Sequence, residues 1–166
     1  MSVRPVDRAV ATFNSESSAM PLFTTQRRVQ FSETDMAGIV HFANFYRWME
    51  ETEHEYLRTL GLSIVQRQPD GQVIGWPRVS TSCSYNAPAR YEDVIECRLD
   101  VERVGVRSVT YLIEFWLGET RLATGRVKAA CCLCEPNGKL TSVDLPEKFR
   151  SLIRESLPHS SGSSEK

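Results

Sequence analysis

The spacing of apolar and polar residues along this chain changes period three times, and each change marks an element. From Thr24 to Phe31 polar and apolar residues alternate, with Val29 and Phe31 on one side, which predicts a first strand. From Ala43 to Leu60 the period becomes helical. Phe45, Trp48, Met49, Thr52, Tyr56, Leu57 and Leu60 recur at steps of three and four and form one broad apolar stripe. Arg47, Glu50, Glu51, Glu53, Glu55 and Arg58 fall between them and read as a solvated face, from which Glu50 could turn toward a site. Gly61 follows as a natural C-terminal cap.

Strand periodicity then returns. Val73 to Tyr85 is rich in β-branched and aromatic residues and closes at Asn86-Ala-Pro88. Val94 to Val104 sets Ile95, Cys97, Leu99 and Val101 against Glu96, Arg98, Asp100 and Glu102, the pattern of a half-buried antiparallel strand. Gly105 ends it. Ser108 to Leu117 places Val109, Tyr111, Ile113 and Phe115 on one face, with Leu112 and Trp116 opposite. Leu117-Gly-Glu-Thr120 reads as a hairpin turn, and Arg121 to Cys134 as the last strand. One side of that strand carries Ala123, Gly125, Val127, Ala129, Cys131 and Leu133, small enough in part to let a helix approach closely. Glu135-Pro-Asn-Gly138 is a further turn, and Pro146 to Ile153 a short helix opening at a proline. A strand, a long helix and four sequential strands predict an α+β fold, one helix wrapped by a curved antiparallel five-stranded sheet. Its other sheet face and its edges would be left open, which favours subunit pairing.

Composition narrows the function classes. A chain of 166 residues fits one domain, expected here over residues 23–154. Residues 1–22 lack periodicity and read as a flexible extension, and residues 155–166 as a disordered low-complexity tail. A formal net charge of −1 makes no electrostatic case for nucleic acid or an anionic membrane. No apolar run approaches the roughly 20 residues of a membrane helix. The first residues lack the apolar core of a secretory signal, so a cytoplasmic location is expected. Five cysteines are an odd number, and Cys131, Cys132, Cys134, Cys83 and Cys97 share no metal-ligand spacing with His41, His54 or His159. Buried free thiols and no metal are expected.

The candidate chemistry sits between the first strand and the helix, from Phe31 to Phe45. Thr34-Asp35 and Gly38 are turn-forming residues, and they put the Asp35 carboxylate just ahead of a helix start. A helix start offers unpaired N–H groups and a partial positive charge, so a base or nucleophile would stand beside an anion hole. An aspartate at this spacing is also a common turn or capping residue. The residues by themselves leave both readings open.

The segment from Arg28 to Glu50, Arg-Val-Gln-Phe-Ser-Glu-Thr-Asp-Met-Ala-Gly-Ile-Val-His-Phe-Ala-Asn-Phe-Tyr-Arg-Trp-Met-Glu, resembles the signature of the hotdog-fold acyl-CoA thioesterases. Within them it looks most like the 4-hydroxybenzoyl-CoA thioesterase family. The similarity extends through Leu60-Gly-Leu62 and Ala87-Pro-Ala-Arg-Tyr-Glu-Asp93. The resemblance implies a hotdog fold, hydrolysis of an acyl-CoA without metal or redox cofactor, a homodimer as the minimal unit and often a tetramer. It implies Asp35 as the catalytic carboxylate, nucleophile or general base, and the backbone N–H of Phe42 as the oxyanion donor. A Tol–Pal-associated branch carries a histidine at the position of Phe42 and a tyrosine at that of Phe31. Here the histidine is His41, one residue earlier, so it stands as a candidate helper or as a histidine hydrogen-bonded at the helix start. By the same resemblance Arg107, Ser108 and Lys128 are candidates for holding coenzyme A, with ordinary surface charge as the other reading. Trp76 is a candidate for lining the acyl pocket or, as aromatic residues in strands more often are, for the core. A hotdog module that binds acyl-CoA or acyl carrier protein without turnover is the alternative.

Overall fold

The computed structural model describes residues 20–68 and 71–157. The expectations for residues 1–19 and 158–166 lie outside the described residues. In chain order the elements are β1 (Phe23–Arg28), α1 (Ala43–Thr59), β2 (Val65–Arg67), β3 (Val73–Gly75), β4 (Arg78–Tyr85), β5 (Val94–Val104), β6 (Ser108–Leu117), β7 (Thr120–Ala130), β8 (Cys132–Cys134), β9 (Leu140–Ser142) and α2 (Glu147–Ser156).

Five of these strands form the expected antiparallel sheet, in the order β1-β5-β6-β7-β4, and α1 touches all five. The alternation read from the sequence decides which side chains meet the helix. Ile95, Cys97 and Leu99 from β5 are buried, as are Val109, Tyr111, Ile113 and Phe115 from β6. From the helix, Phe45, Trp48, Met49, Tyr56 and Leu57 fill the same layer. The small residues of β7 do what their size suggests. A Cβ on Gly125 would overlap the Met49 sulfur, so the glycine sets how closely α1 lies on the sheet.

Four expectations are corrected. A second, four-stranded sheet of order β2-β3-β8-β9 is present, because the 73–85 and 121–134 runs each break in two. Pro77 has no N–H with which to continue a ladder, and its carbonyl accepts from Ala130 N at 3.0 Å, where β7 ends. The break resets the alternation, so Cys131 and Cys132 are both buried while Leu133 is half-buried. Trp76, at the same break, stacks on Phe149 of α2 at 4.1 Å and belongs to the core.

The other three are local. Phe31 does not share a face with Val29: β1 ends at Arg28, a 3-10 turn takes Phe31–Glu33, and the Phe31 ring is exposed against Tyr91. Glu53 is not solvated but 1% exposed. Cys83 and Cys134 are half-buried, although all five thiols are free. At the domain edges Leu22 N donates to Asp100 Oδ1 at 3.0 Å, and α2 runs through Ser156, whose Oγ is 2.7 Å from the Tyr56 hydroxyl. Among the described residues no helix is long and apolar enough to cross a membrane.

Candidate active site

The segment after β1 folds back on itself before the helix starts. Asp35 N donates to Ile39 O and Gly38 N to Asp35 O, each at 2.9 Å, and a bridge pairs Thr34 with Val40. Gly38 has φ 71°, the left-handed region that a side chain disfavours, so the glycine permits the reversal. Val40 N donates to Ala89 O at 2.8 Å, which moors the loop on the segment following β4. Within this loop Asp35 is exposed, and its Oδ1 accepts from Ala37 N at 2.8 Å, as aspartate commonly does in a turn.

At the helix start the first N–H groups are partly taken. Asn44 N donates to His41 O at 2.9 Å, Phe45 N to Phe42 O at 3.2 Å, and Ala43 N to His41 Nδ1 at 3.3 Å. Phe42 N–H has no hydrogen-bond partner among the described residues. His41 thus occupies the Ala43 N–H at the entry to α1.

Asp35 and Phe42 border one cleft of about 550 Å³, lined also by Ile39, Val40, Phe45, Tyr85, Asn86, Ala87, Pro88 and Ala89. Two of these wall residues, Phe45 and Tyr85, have no site role in the sequence reading. Phe45 reads as helix core, and Tyr85 as the end of a strand. They meet edge to face at 5.3 Å, and the Tyr85 hydroxyl donates to Phe42 O at 3.4 Å. Loss of solvent, then the neighbouring Cys83, hold that hydroxyl above the ordinary phenol range, so it stays a neutral donor. The signal that could have found Tyr85 is its place two residues before the 87–93 segment quoted above.

Other candidates lie elsewhere. Glu50 faces Arg78 and His54, at 3.7 and 3.9 Å, and does not line the cleft. Arg107 is paired with Asp144 at 2.7 Å. Tyr85 pairs with Ala123 at one end of the sheet, whereas Ser108 pairs with Ala130 at the other, seven residues along β7. At about 3.3 Å per residue that is roughly 23 Å, and Lys128, five residues along, lies roughly 16 Å away. Within one chain the structure does not bring Arg107, Ser108 or Lys128 to Asp35. The buried thiols are poor nucleophiles. Burial pushes Cys97 up to about 12 and Cys131 up to about 11.

Comparison with known proteins agrees with this fold. A family model described as the thioesterase superfamily matches residues 37–124. The chain is similar to a 1,4-dihydroxy-2-naphthoyl-CoA hydrolase of Prochlorococcus marinus (strain NATL1A), 31% identical over 108 residues, covering 61% of this chain and 72% of that one. It is 35% identical over 77 residues to a 4-hydroxybenzoyl-CoA thioesterase of Pseudomonas sp. (strain CBS-3), covering 43% of this chain and 52% of that one. Among solved structures it is similar to a 1,4-dihydroxy-2-naphthoyl-CoA thioesterase from Synechocystis, with a TM-score of 0.70 at 25% identity over 80% of this chain and 96% of that one.

Proposed function

This chain belongs to the thioesterase superfamily, and from that premise we propose that it hydrolyses an acyl-CoA thioester to a free carboxylic acid and coenzyme A. Its long helix laid on an antiparallel sheet is the hotdog fold. The observation that carries the mechanism is the pairing, in one cleft, of an accessible carboxylate at Asp35 with an unbonded helix-start N–H at Phe42. Asp35 attacks the thioester carbonyl or takes a proton from the attacking water. Either way the carbonyl oxygen gains negative charge, which the Phe42 N–H and the positive end of α1 receive. One such donor is worth about 3 kcal/mol of barrier. Collapse of the tetrahedral adduct expels coenzyme A as a thiolate, a good leaving group that takes a proton from solvent, so the step needs no strong general acid. Where Asp35 is the nucleophile, water then hydrolyses the acyl–Asp35 anhydride to the free acid and restores the carboxylate.

The wall of Phe42, Phe45 and Tyr85 suits a flat acyl group. The two relatives above are named for aromatic acyl-CoAs. We therefore favour an aromatic acyl-CoA as substrate.

The working unit we propose is a homodimer, with two dimers forming a tetramer. β4 is an edge strand whose residues are mostly exposed, and it ends at Tyr85 on the lip of the cleft. Antiparallel self-pairing about its middle sets the Arg78 end of one copy beside the Tyr85 end of the other. That arrangement supports the assignment of Arg107, Ser108 and Lys128 to coenzyme A, since a second copy would present its own set near this chain's cleft. The five free thiols fit a reducing compartment, and we place the protein in the cytoplasm.

Release of free thiol from benzoyl-, hydroxybenzoyl-, short- and long-chain acyl-CoAs, followed colorimetrically, tests the activity and its aromatic preference. Asp35→Asn should lower kcat by orders of magnitude with folding intact. Full turnover by that variant sinks the mechanism. Tight acyl-CoA binding without turnover by the wild type would instead support a non-catalytic binding module.

A further inference from the structure

We propose that Glu33 is the positioning residue of this site, holding the Asp35 carboxylate at a set place relative to the Phe42 N–H. The inference rests on the thioesterase reading above. Glu33 lies two residues before Asp35 and is 6% exposed. Its Oε1 accepts from Arg27 Nη2 at 2.8 Å and from Trp48 Nε1 at 2.9 Å, and its Oε2 from Gln30 N at 2.8 Å. Its carbonyl accepts from His41 N at 2.9 Å and from Asn44 Nδ2 at 2.7 Å. One residue thus ties together β1, the 3-10 turn and α1, both at its start and a turn further along.

The chemistry of these contacts explains why a charged side chain is buried here. An isolated carboxylate would be costly to bury, whereas one that is ion-paired and takes hydrogen bonds on both oxygens is held in one geometry. Arg27 supplies the charge and is itself confined. Its guanidinium lies 4.3 Å from the centre of the Trp48 ring, and its other terminal nitrogen bonds Glu51. Asp35 has no comparable support, since its carboxylate is bonded to Ala37 N within its own loop. The place of Asp35 is therefore set by the main chain, and both ends of the loop meet at Glu33. Phe42 N–H, by contrast, travels with the helix, between His41 and Asn44. A slack Glu33 would let the turn drift relative to the helix and change the separation of the two reacting groups. A misplacement of about 1 Å can cost roughly a hundredfold in rate.

Glu33→Gln keeps the shape but loses the charge and turns one acceptor into a donor. With the acyl-CoA that the wild type turns over best, kcat should fall about 10- to 100-fold while KM stays within about threefold. The Ala37 and Phe42 amide signals should move in nitrogen–proton spectra. Trp48→Phe removes the Nε1 donor to Glu33 and part of the ring under Arg27, while the Gln30 bond to Glu33 stays. It should give a smaller kcat loss of several-fold with KM unchanged, and it serves if Glu33→Gln fails to fold. If kcat per folded molecule stays within twofold of wild type and the two amides do not move, Glu33 is a stabilising residue and the proposal is wrong. If the wild type hydrolyses no thioester, the functional reading fails by itself, and the amide shifts still decide the positioning role.

Discussion

Arg78 Nη2 stands 2.7 Å from Oε2 of Glu53, a mid-helix carboxylate that is 1% exposed. The contact lacks hydrogen-bond alignment, and Oε2 has no hydrogen-bond partner. Burial raises the Glu53 carboxyl from 4.5 to about 7, Arg78 pulls it back in part, and Glu50 adds to the rise. A carboxyl raised in the folded state adds stability that is fully present below about 4.5 and is lost as pH rises through about 7. The loss amounts to at most about 3 kcal/mol. Denaturant unfolding of wild type and Glu53→Gln across this window should give a difference curve that falls with rising pH and levels off above about 7. A flat difference curve would show that Glu53 titrates as an ordinary carboxylate.

Gly125 and Met49 set the spacing between α1 and the sheet. Gly125→Ala should destabilise the fold by about 1–3 kcal/mol, since the buried Met49 must leave its place. Met49→Ala in that background should recover part of the loss. A double-mutant cycle by urea unfolding should therefore show coupling above about 0.5 kcal/mol. Strict additivity would mean that the two residues do not compete for the same space.

His41 Nδ1 accepts from Ala43 N, the first N–H of α1. His41→Ala should cost about 0.5–1.5 kcal/mol of stability, and His41→Asn, whose side chain can accept from the same N–H, should restore part of it. Both variants should keep kcat within a few-fold of wild type. A loss of kcat approaching that of Asp35→Asn would make His41 a catalytic partner instead.

The middle of β4 lies between Thr81 and Ser82. In an antiparallel self-pairing, residues near the middle meet their own copies, so Thr81→Lys combined with Ser82→Lys sets like charges face to face. Light scattering should show a shift toward monomer, with activity falling in step. An unchanged mass would place the subunit contact elsewhere.

The main sheet was legible because its inward residues alternate cleanly, as Ile95, Cys97 and Leu99 do, and because Gly105 and Gly118 punctuate it. The second sheet was not. Its strands are three residues each, too short to show a period, and two of them, β3 and β8, continue longer runs that break where Pro77 meets the end of β7. Asp35 and Phe42 line one cleft and lie in one motif, so their nearness was legible, whereas Tyr85 reaches the cleft because β4 ends there. Glu53 looked like a surface acid, and Glu33 had no reading beyond its place in the motif. Neither periodicity nor composition tells which of several glutamates will find an arginine inside the fold.

The order of elements, the helix stripe, the turn glycines and the Asp35 motif are local properties, fixed by residues a few positions apart, and the sequence alone determined them. Which carboxylates are buried, which thiols are half-covered, and how far Arg107 stands from Asp35 depend on contacts between residues on different elements. Those contacts exist only once five strands have closed on one helix, and that closure decided them.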